Sequence, residues 1–232
     1  MNPFDNIAVV IPVREGSQRV PNKIHLPFGP GHSLLSWKIE QLKQVQRPER
    51  IFLSSNSERV RQIAAETGVR FLPRREHLCV GHQASFSDVI TGIVADLPTQ
   101  HFAWVTVVVP LMRPEEYREA FEIYLDKVVR AKSHDSLVTV NQLHDYLWGQ
   151  DRPINYQADR NHTISQELPG LFRVTNGLYM RDCGRTLSEG YFLGANPIKH
   201  IVAKISGVDI DEQEDYDIAL SLKGIYDRSA TL

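Results

Sequence analysis

"IAVVIPVREGSQRVPNK", residues 7–23, decides how the chain is read. Its first six residues are a short, mostly β-branched apolar run, which predicts a buried strand. Arg14, Arg19 and Lys23 then crowd a loop that also holds Gly16, Ser17 and Pro21, in the pattern R-x-x-S-x-R-x-P-x-K. Such a loop can wrap phosphates with backbone N–H groups and neutralise them with side chains. The P-loop spacing and G-x-G-x-x-G are both absent, so this is neither a Walker site nor a dinucleotide fingerprint. By charge alone it reads equally well as a solvated basic loop.

The formal net charge is only -2 over 232 residues, so an anion site here is local. That balance points away from a nucleic-acid partner. Hydrophobic content of 42% and charged content of 23% are ordinary for a soluble globular protein. No apolar run reaches membrane-spanning length, and "MNPFDN" lacks a signal-peptide pattern. Cys79 and Cys183 lie far apart and outside any C-x-x-C, which fits a reducing compartment. A cytoplasmic protein is expected.

Outward from residue 23, strand and helix signals alternate. Ser33 caps a helix over "LLSWKIEQLKQV", and "RIFLSS" is a second strand. Ser57 opens a helix that Gly68 stops. "VRFLP" is a short strand, and the apolar series from Phe86 to Leu97 is helical. "WVTVVVP", residues 104–110, is the strongest strand signal, and Pro114 opens a helix running to about Ala131. "SLVTV" and "IKHIVAKI" are further strands, and "DYDIALSLKGIY" is a closing helix. This order predicts one α/β domain over 1–232, with a Rossmann-like, mostly parallel sheet and helices on both faces. Residues 141–194 read as an extension with short strands that meets a partner subunit. Ligands in such sheets bind at the carboxyl ends of strands, where the loop at 13–23 lies.

"VDIDEQED", residues 208–215, answers the cations. On an extended segment Asp209 and Asp211 share a face. Two carboxylates can hold Mg²⁺ together with phosphate oxygens and water. Asp211 can also cap the following helix, with Glu214 as a capping-box partner. Capping leaves Asp209 unexplained. None of the nine histidines forms H-E-x-x-H, and no transition-metal site is assigned.

These motifs, taken in order from about Ile7 to Leu220, resemble the acylneuraminate (CMP-sialic acid-type) cytidylyltransferases. Arg14, Ser17 and Lys23 match that family's opening loop. Arg74 of "RREHL" and Ser85 of "QAS" match its base-binding segment. "QELPGLFRVTNGLYM" matches its sugar side through Phe172, Arg173, Asn176, Gly177 and Tyr179. Tyr191 and Phe192 match its aromatic wall, and "VDIDEQED" its I-D-I-D-x-x-E-D ending. The family's Q-P-T-S-P-L-R is "VVVPLMR" here, keeping Pro110 and Arg113. Gln18 and Ile24 replace the usual Lys and Asn. The missing Gln belongs to the sugar side, so the sugar acid stays open.

The resemblance implies a nucleotide-diphospho-sugar transferase type of fold and a homodimer. It implies CTP and an acidic 2-keto sugar as substrates, CMP-sugar and pyrophosphate as products, and Mg²⁺ as cofactor. Arg14, Gly16, Ser17, Arg19 and Lys23 would hold the phosphates, and Arg74 and Ser85 the cytosine and ribose. Asn176, Tyr179, Tyr191 and Phe192 would line the sugar pocket. Arg173 would pair with the sugar carboxylate or make a structural salt bridge. Asp209 and Asp211 would hold the metal. A CMP-Kdo-type enzyme, another sugar nucleotidyltransferase and a weakened nucleotide-sugar-binding protein are the alternatives.

Overall fold

The computed structural model describes residues 3–80 and 83–229. Strand β1 (Ile7–Pro12) is flanked in parallel by β2 (Ile51–Ser55) and β4 (His101–Val105). β3 (Arg70–Pro73) pairs in parallel with β2. Strand β6 (Leu171–Asp182) runs antiparallel between β4 and β5 (Ser136–Leu143), and β7 (Pro197–Ile201) lies parallel to β5. Among the described residues the seven strands form one sheet in the order β3-β2-β1-β4-β6-β5-β7.

The period-2 pattern of β1 explains its central place. Ile7, Val9 and Ile11 join one apolar core with α1 (Leu34–Lys43), α2 (Glu58–Thr67), α4 (Pro114–Tyr124) and α6 (Gln213–Ser229). Ala8 and Val10 join a second core on the other face, with α3 (Phe86–Val94) and Cys183 at the start of α5 (Cys183–Glu189). The helices start where their caps dictate. Ser33 makes a capping box with Ser36, and Ser57 Oγ accepts from the Val60 amide. Gly68, at φ 75°, ends α2 in the left-handed conformation that glycine adopts without strain. Helix α4 continues as one π-helical stretch, Leu125–Arg130. Among the described residues no helix is long and apolar enough to cross a membrane.

Two expectations change. The strand expected over 104–110 ends at Val105, and "TVVVP" leaves the sheet as a buried loop. Its apolar residues still enter the core, while α1 takes up its carbonyls. Trp37 Nε1 and Gln41 Nε2 each donate to the Pro110 carbonyl at 2.9 Å, and Gln41 also donates to the Met112 carbonyl at 2.9 Å. Lys38 Nζ donates to the Val109 carbonyl at 2.7 Å and to the Tyr117 hydroxyl at 2.8 Å. A buried loop is tolerated only when its polar backbone groups are met in this way. The second change concerns the extension at 141–194. Its residues 171–182 are the longest strand of the sheet, so 144–170 and 183–194 lie outside the strands, the latter beginning with α5. The mixed composition hid β6 because its first half is exposed and its second half buried, which breaks any single period.

Lys38 is fully buried, and desolvation pushes its ammonium down from 10.5 to about 7, with Glu116 opposing the shift. Between those values the unfolded chain binds more protons than the folded one, so stability rises with pH across that window. Wild type should therefore gain on Lys38→Met from pH 7 to 10, by at most about 1.4 kcal/mol per pH unit. Urea unfolding of both proteins against pH measures the slope, and a constant difference would show that the Lys38 ammonium keeps its proton in the fold, excluding the lowered pKa.

Candidate active site

The loop that follows β1 curls over the carboxyl ends of β1 and β4. Gly16 at φ 86° and Asn22 at φ 53° supply its two left-handed turns. A bond between Glu15 and His25 (3.0 Å) closes its base and holds the Glu15 carboxyl below its ordinary range. Arg14, Ser17, Gln18, Arg19 and Lys23 line a cavity of about 510 Å³, whose other wall is Pro12, Ile24 and Thr106–Val108.

The carboxylate segment meets this loop directly. Lys23, nearly buried, donates from Nζ to the carbonyls of Ile210 (2.6 Å) and Asp211 (3.1 Å). Arg19 pairs with Asp211 Oδ1 at 2.8 Å, with both side chains more than half exposed. Desolvation lowers the Lys23 ammonium, with Asp211 opposing. Ile210 is fully buried, so the extended segment turns Asp209 and Asp211 away from the core.

Asp211 does not cap α6. The Asp215 carboxylate reaches back to the amides of Asp211 (3.0 Å) and Glu212 (2.8 Å), and those backbone bonds hold its pKa down. The acidic run thus divides its work: Asp215 caps, while Asp211 faces the cationic loop. Asp209 Oδ2 accepts from Asn176 Nδ2 at 2.9 Å, whereas its Oδ1 is buried with no hydrogen-bond partner among the described residues. Desolvation pushes the Asp209 carboxyl up; the Asn176 bond works against it.

Asn176 projects from a bulge. Thr139 of β5 stands opposite the stretch 175–178 of β6, because the register shifts between Val138 and Val140. Thr139 and Thr175 hydroxyls bond at 2.7 Å, and the Thr106 hydroxyl holds the Asn176 carbonyl at 2.7 Å. Asn176 itself is left-handed, φ 58°. Its Oδ1 accepts from the Tyr179 hydroxyl at 2.7 Å. Tyr179 stacks on Phe192 at 4.0 Å, and Phe192 stacks on Tyr191 at 4.6 Å. Burial raises the Tyr179 phenol.

Other expected site residues turn out to be tied to the scaffold. Arg173 donates to Asn141 Oδ1 (2.9 Å) and to the Gly207 carbonyl (3.1 Å), which makes it a brace between β6 and the carboxylate segment. Gly207 sits so close that an added Cβ would lie 2.0 Å from Asn141 Oδ1. Arg74 donates to the Val13 carbonyl (2.6 Å) and Cys79 Sγ (3.0 Å), anchoring the start of the cationic loop. Ser85 makes the capping box of α3 with Asp88. The sequence reading missed Arg181, which is buried on β6 and donates to the Tyr191 carbonyl at 2.7 Å and to Glu189. It holds the aromatic pair in place. Its period-2 position among apolar residues of β6 was the only signal.

A cationic loop faces paired carboxylates across the strand ends of an α/β sheet. The sequence model of the cytidylyltransferase family matches residues 8–147, and the chain belongs to that family. An N-acylneuraminate cytidylyltransferase of Escherichia coli is 25% identical over 94% of this chain and 52% of its own length. A Streptococcus agalactiae protein of the same name is 26% identical over 89% of this chain and 51% of its length. The chain thus spans about half the length of these curated relatives. A pseudaminic acid cytidylyltransferase of Campylobacter jejuni is 21% identical over 95% of this chain and 97% of its own length. Among solved structures, a CMP:2-keto-3-deoxy-manno-octonic acid synthetase complexed with CTP superposes with TM-score 0.65 at 14% identity, covering 95% of this chain and 99% of its own. A 4-diphosphocytidyl-2C-methyl-D-erythritol synthase from Anaerococcus prevotii gives 0.60 at 13% identity, over 94% and 96%. The fold is therefore of the nucleotidyltransferase type.

Lys23→Met should keep the stem packed but leave the Ile210 and Asp211 carbonyls without their charged donor. A cost of about 1.5–3 kcal/mol is expected, lowering Tm by roughly 3–12 °C for a chain of this size. Calorimetry checks it; an unchanged Tm would show that Lys23 is not a structural pin.

Proposed function

We propose that the protein is a cytidylyltransferase that joins CTP and an acidic 2-keto sugar of the nonulosonic class, giving CMP-sugar and pyrophosphate. The observation that carries this is the meeting of Arg19 and Lys23 with the Asp209–Asp211 segment at the mouth of one cavity. Family membership and the names of the relatives support the same chemistry. The pseudaminic acid relative matches along nearly its whole length, which favours a sugar acid of that kind.

The sugar's anomeric hydroxyl attacks the α-phosphorus in line, and pyrophosphate leaves. The protein's task is positioning and charge stabilisation. Arg14, Arg19 and Lys23 hold the phosphates, with the backbone around Gly16 and Ser17 open to them. Arg74 and Ser85 frame the nucleoside side through the loop and helix that they anchor. Tyr191 and Phe192 form the apolar wall for the sugar. The carboxylates suit Mg²⁺, a hard cation that takes one or two carboxylates beside phosphate oxygens. Asp209 would supply a buried oxygen that lacks a partner among the described residues, and Asp211 an exposed one now paired with Arg19. Held by Asp209 and Asp211, Mg²⁺ would supply Lewis-acid charge neutralisation at the α-phosphoryl group. CTP and the free thiols Cys79 and Cys183 both fit a cytoplasmic enzyme.

Pyrophosphate release, tried across the four nucleoside triphosphates with a panel of nonulosonic acids and Kdo, tests the proposal. Release is expected with CTP and one class of sugar acid; no release with any pair would end it. Asp209→Asn and Asp211→Asn should each cut turnover steeply and raise the Mg²⁺ needed for half-maximal rate. Tm should barely move, since the cap of α6 is Asp215. Unchanged Mg²⁺ dependence in both variants would remove the metal assignment.

The stretch 144–170 carries exposed Trp148, Ile154 and Ile164. Beside it Val174 and Ile201 are also exposed, flanking buried Val140 on one face of the sheet. We propose that a second copy covers this surface. A homodimer should sediment at twice 26.4 kDa, burying on the order of 2,000 Å². An active monomer at micromolar concentration would exclude it.

A further inference from the structure

The resemblance that places Asn176 and Tyr179 on the sugar wall does not account for their hydrogen bonds. We propose instead that they are positioning residues for Asp209, an inference that rests on Asp209 being a ligand of the divalent cation. The amide of Asn176 is engaged at both ends. Its Nδ2 donates to Asp209 Oδ2 at 2.9 Å and its Oδ1 accepts from the Tyr179 hydroxyl at 2.7 Å. A carboxylate only accepts, so the Asp209 bond fixes which way the amide points, and that in turn makes the tyrosine hydroxyl the donor.

Both ends of this chain are immobilised. Tyr179 is buried in β6 and stacked on Phe192 at 4.0 Å. Asn176 stands on a bulge, a device that re-aims a side chain out of the regular strand alternation. Thr106 holds its carbonyl at 2.7 Å, and the Thr139–Thr175 pair closes the bulge from the other side. The consequence falls on Asp209. One carboxylate oxygen is committed to the amide; the other, Oδ1, is buried and has no donor among the described residues. An unpartnered buried acceptor is costly, so a cation that takes it up gains an oxygen already in place. A sugar hydroxyl using the same amide would have to compete with these bonds.

Asn176→Gly tests this without adding strain, because glycine accepts the left-handed backbone that Asn176 adopts. Tyr179→Phe removes only the hydroxyl and serves if the first variant folds poorly. The first readout is the Mn²⁺ affinity of the CTP-loaded full chain without sugar, by electron paramagnetic resonance. The second is the division between sugar KM and the Mg²⁺ needed for half-maximal rate. Asn176→Gly should weaken Mn²⁺ about tenfold, the scale of one lost bond to a charged group, and Tyr179→Phe roughly threefold. Sugar KM should stay within about twofold of wild type. Unchanged Mn²⁺ affinity with a raised sugar KM would return both residues to the sugar wall and overturn the inference. Asp209→Asn separates the two levels. If it weakens Mn²⁺ while Asn176→Gly does not, only the positioning role fails. If it leaves Mn²⁺ unchanged, the metal reading fails and the inference falls with it.

Discussion

The ammonium of Lys23 joins the two ends of the molecule. It leaves the first loop of the chain and binds the carbonyls of Ile210 and Asp211, which precede the last helix. Hydrogen bonds to a charged donor in a poorly hydrated site are among the stronger ones a fold can make. This one closes a segment that neither sheet pairing nor helix bonds would hold. Together with the Ile210 amide on Val108 and the Arg173 brace on Gly207, it places the acidic segment of the site. Asp211 is brought to Arg19, and Asp209 is brought to the bulge of β6.

The sheet supplies the rigid frame for that joint. Placing β6 antiparallel between β4 and β5 lets one strand carry Arg173, Asn176, Tyr179 and Arg181, each bonded to a different part of the surroundings. Arg173 braces the approach to Asp209, Asn176 meets its carboxylate, Tyr179 ties it to the aromatic wall, and Arg181 holds the turn that presents Tyr191. On the other side of β4, three polar side chains of α1 take the carbonyls of the loop at 107–112. That loop departs most from the family's usual residues. Its backbone is nonetheless fixed by α1 and, at Val108, by the Ile210 amide at 2.9 Å. Changes in its side chains can therefore alter what the cavity accepts without loosening its wall.

Several residues matched by motif do structural work in this chain. Arg74 spends donors on Val13 and Cys79, and Ser85 spends its hydroxyl on the start of α3. Lys23 itself is both a wall of the cavity and a pin. A site residue that is also bonded into the scaffold arrives pre-oriented, which lowers the cost of ordering it when substrate binds.

Local chemistry in the sequence determined the helices and most strands. Ser33, Ser57 and Pro114 mark helix starts through local signals that involve only near neighbours, and β1 is legible because its continuous β-branched apolar run needs no partner to be recognised. The crowding of Arg14, Arg19 and Lys23 and the pairing of Asp209 with Asp211 were likewise visible as residue types at short spacing. What each of those side chains binds was not visible, because those contacts span up to 192 positions of chain. Tertiary structure decided that Asp215 rather than Asp211 caps α6, and that 171–182 is a strand of the sheet. It also ended β4 at Val105, since an apolar run looks the same in a strand as in a buried loop whose carbonyls are met from another element. Packing brings α1 under that loop, and only there do Trp37, Lys38 and Gln41 find the carbonyls that make it stable.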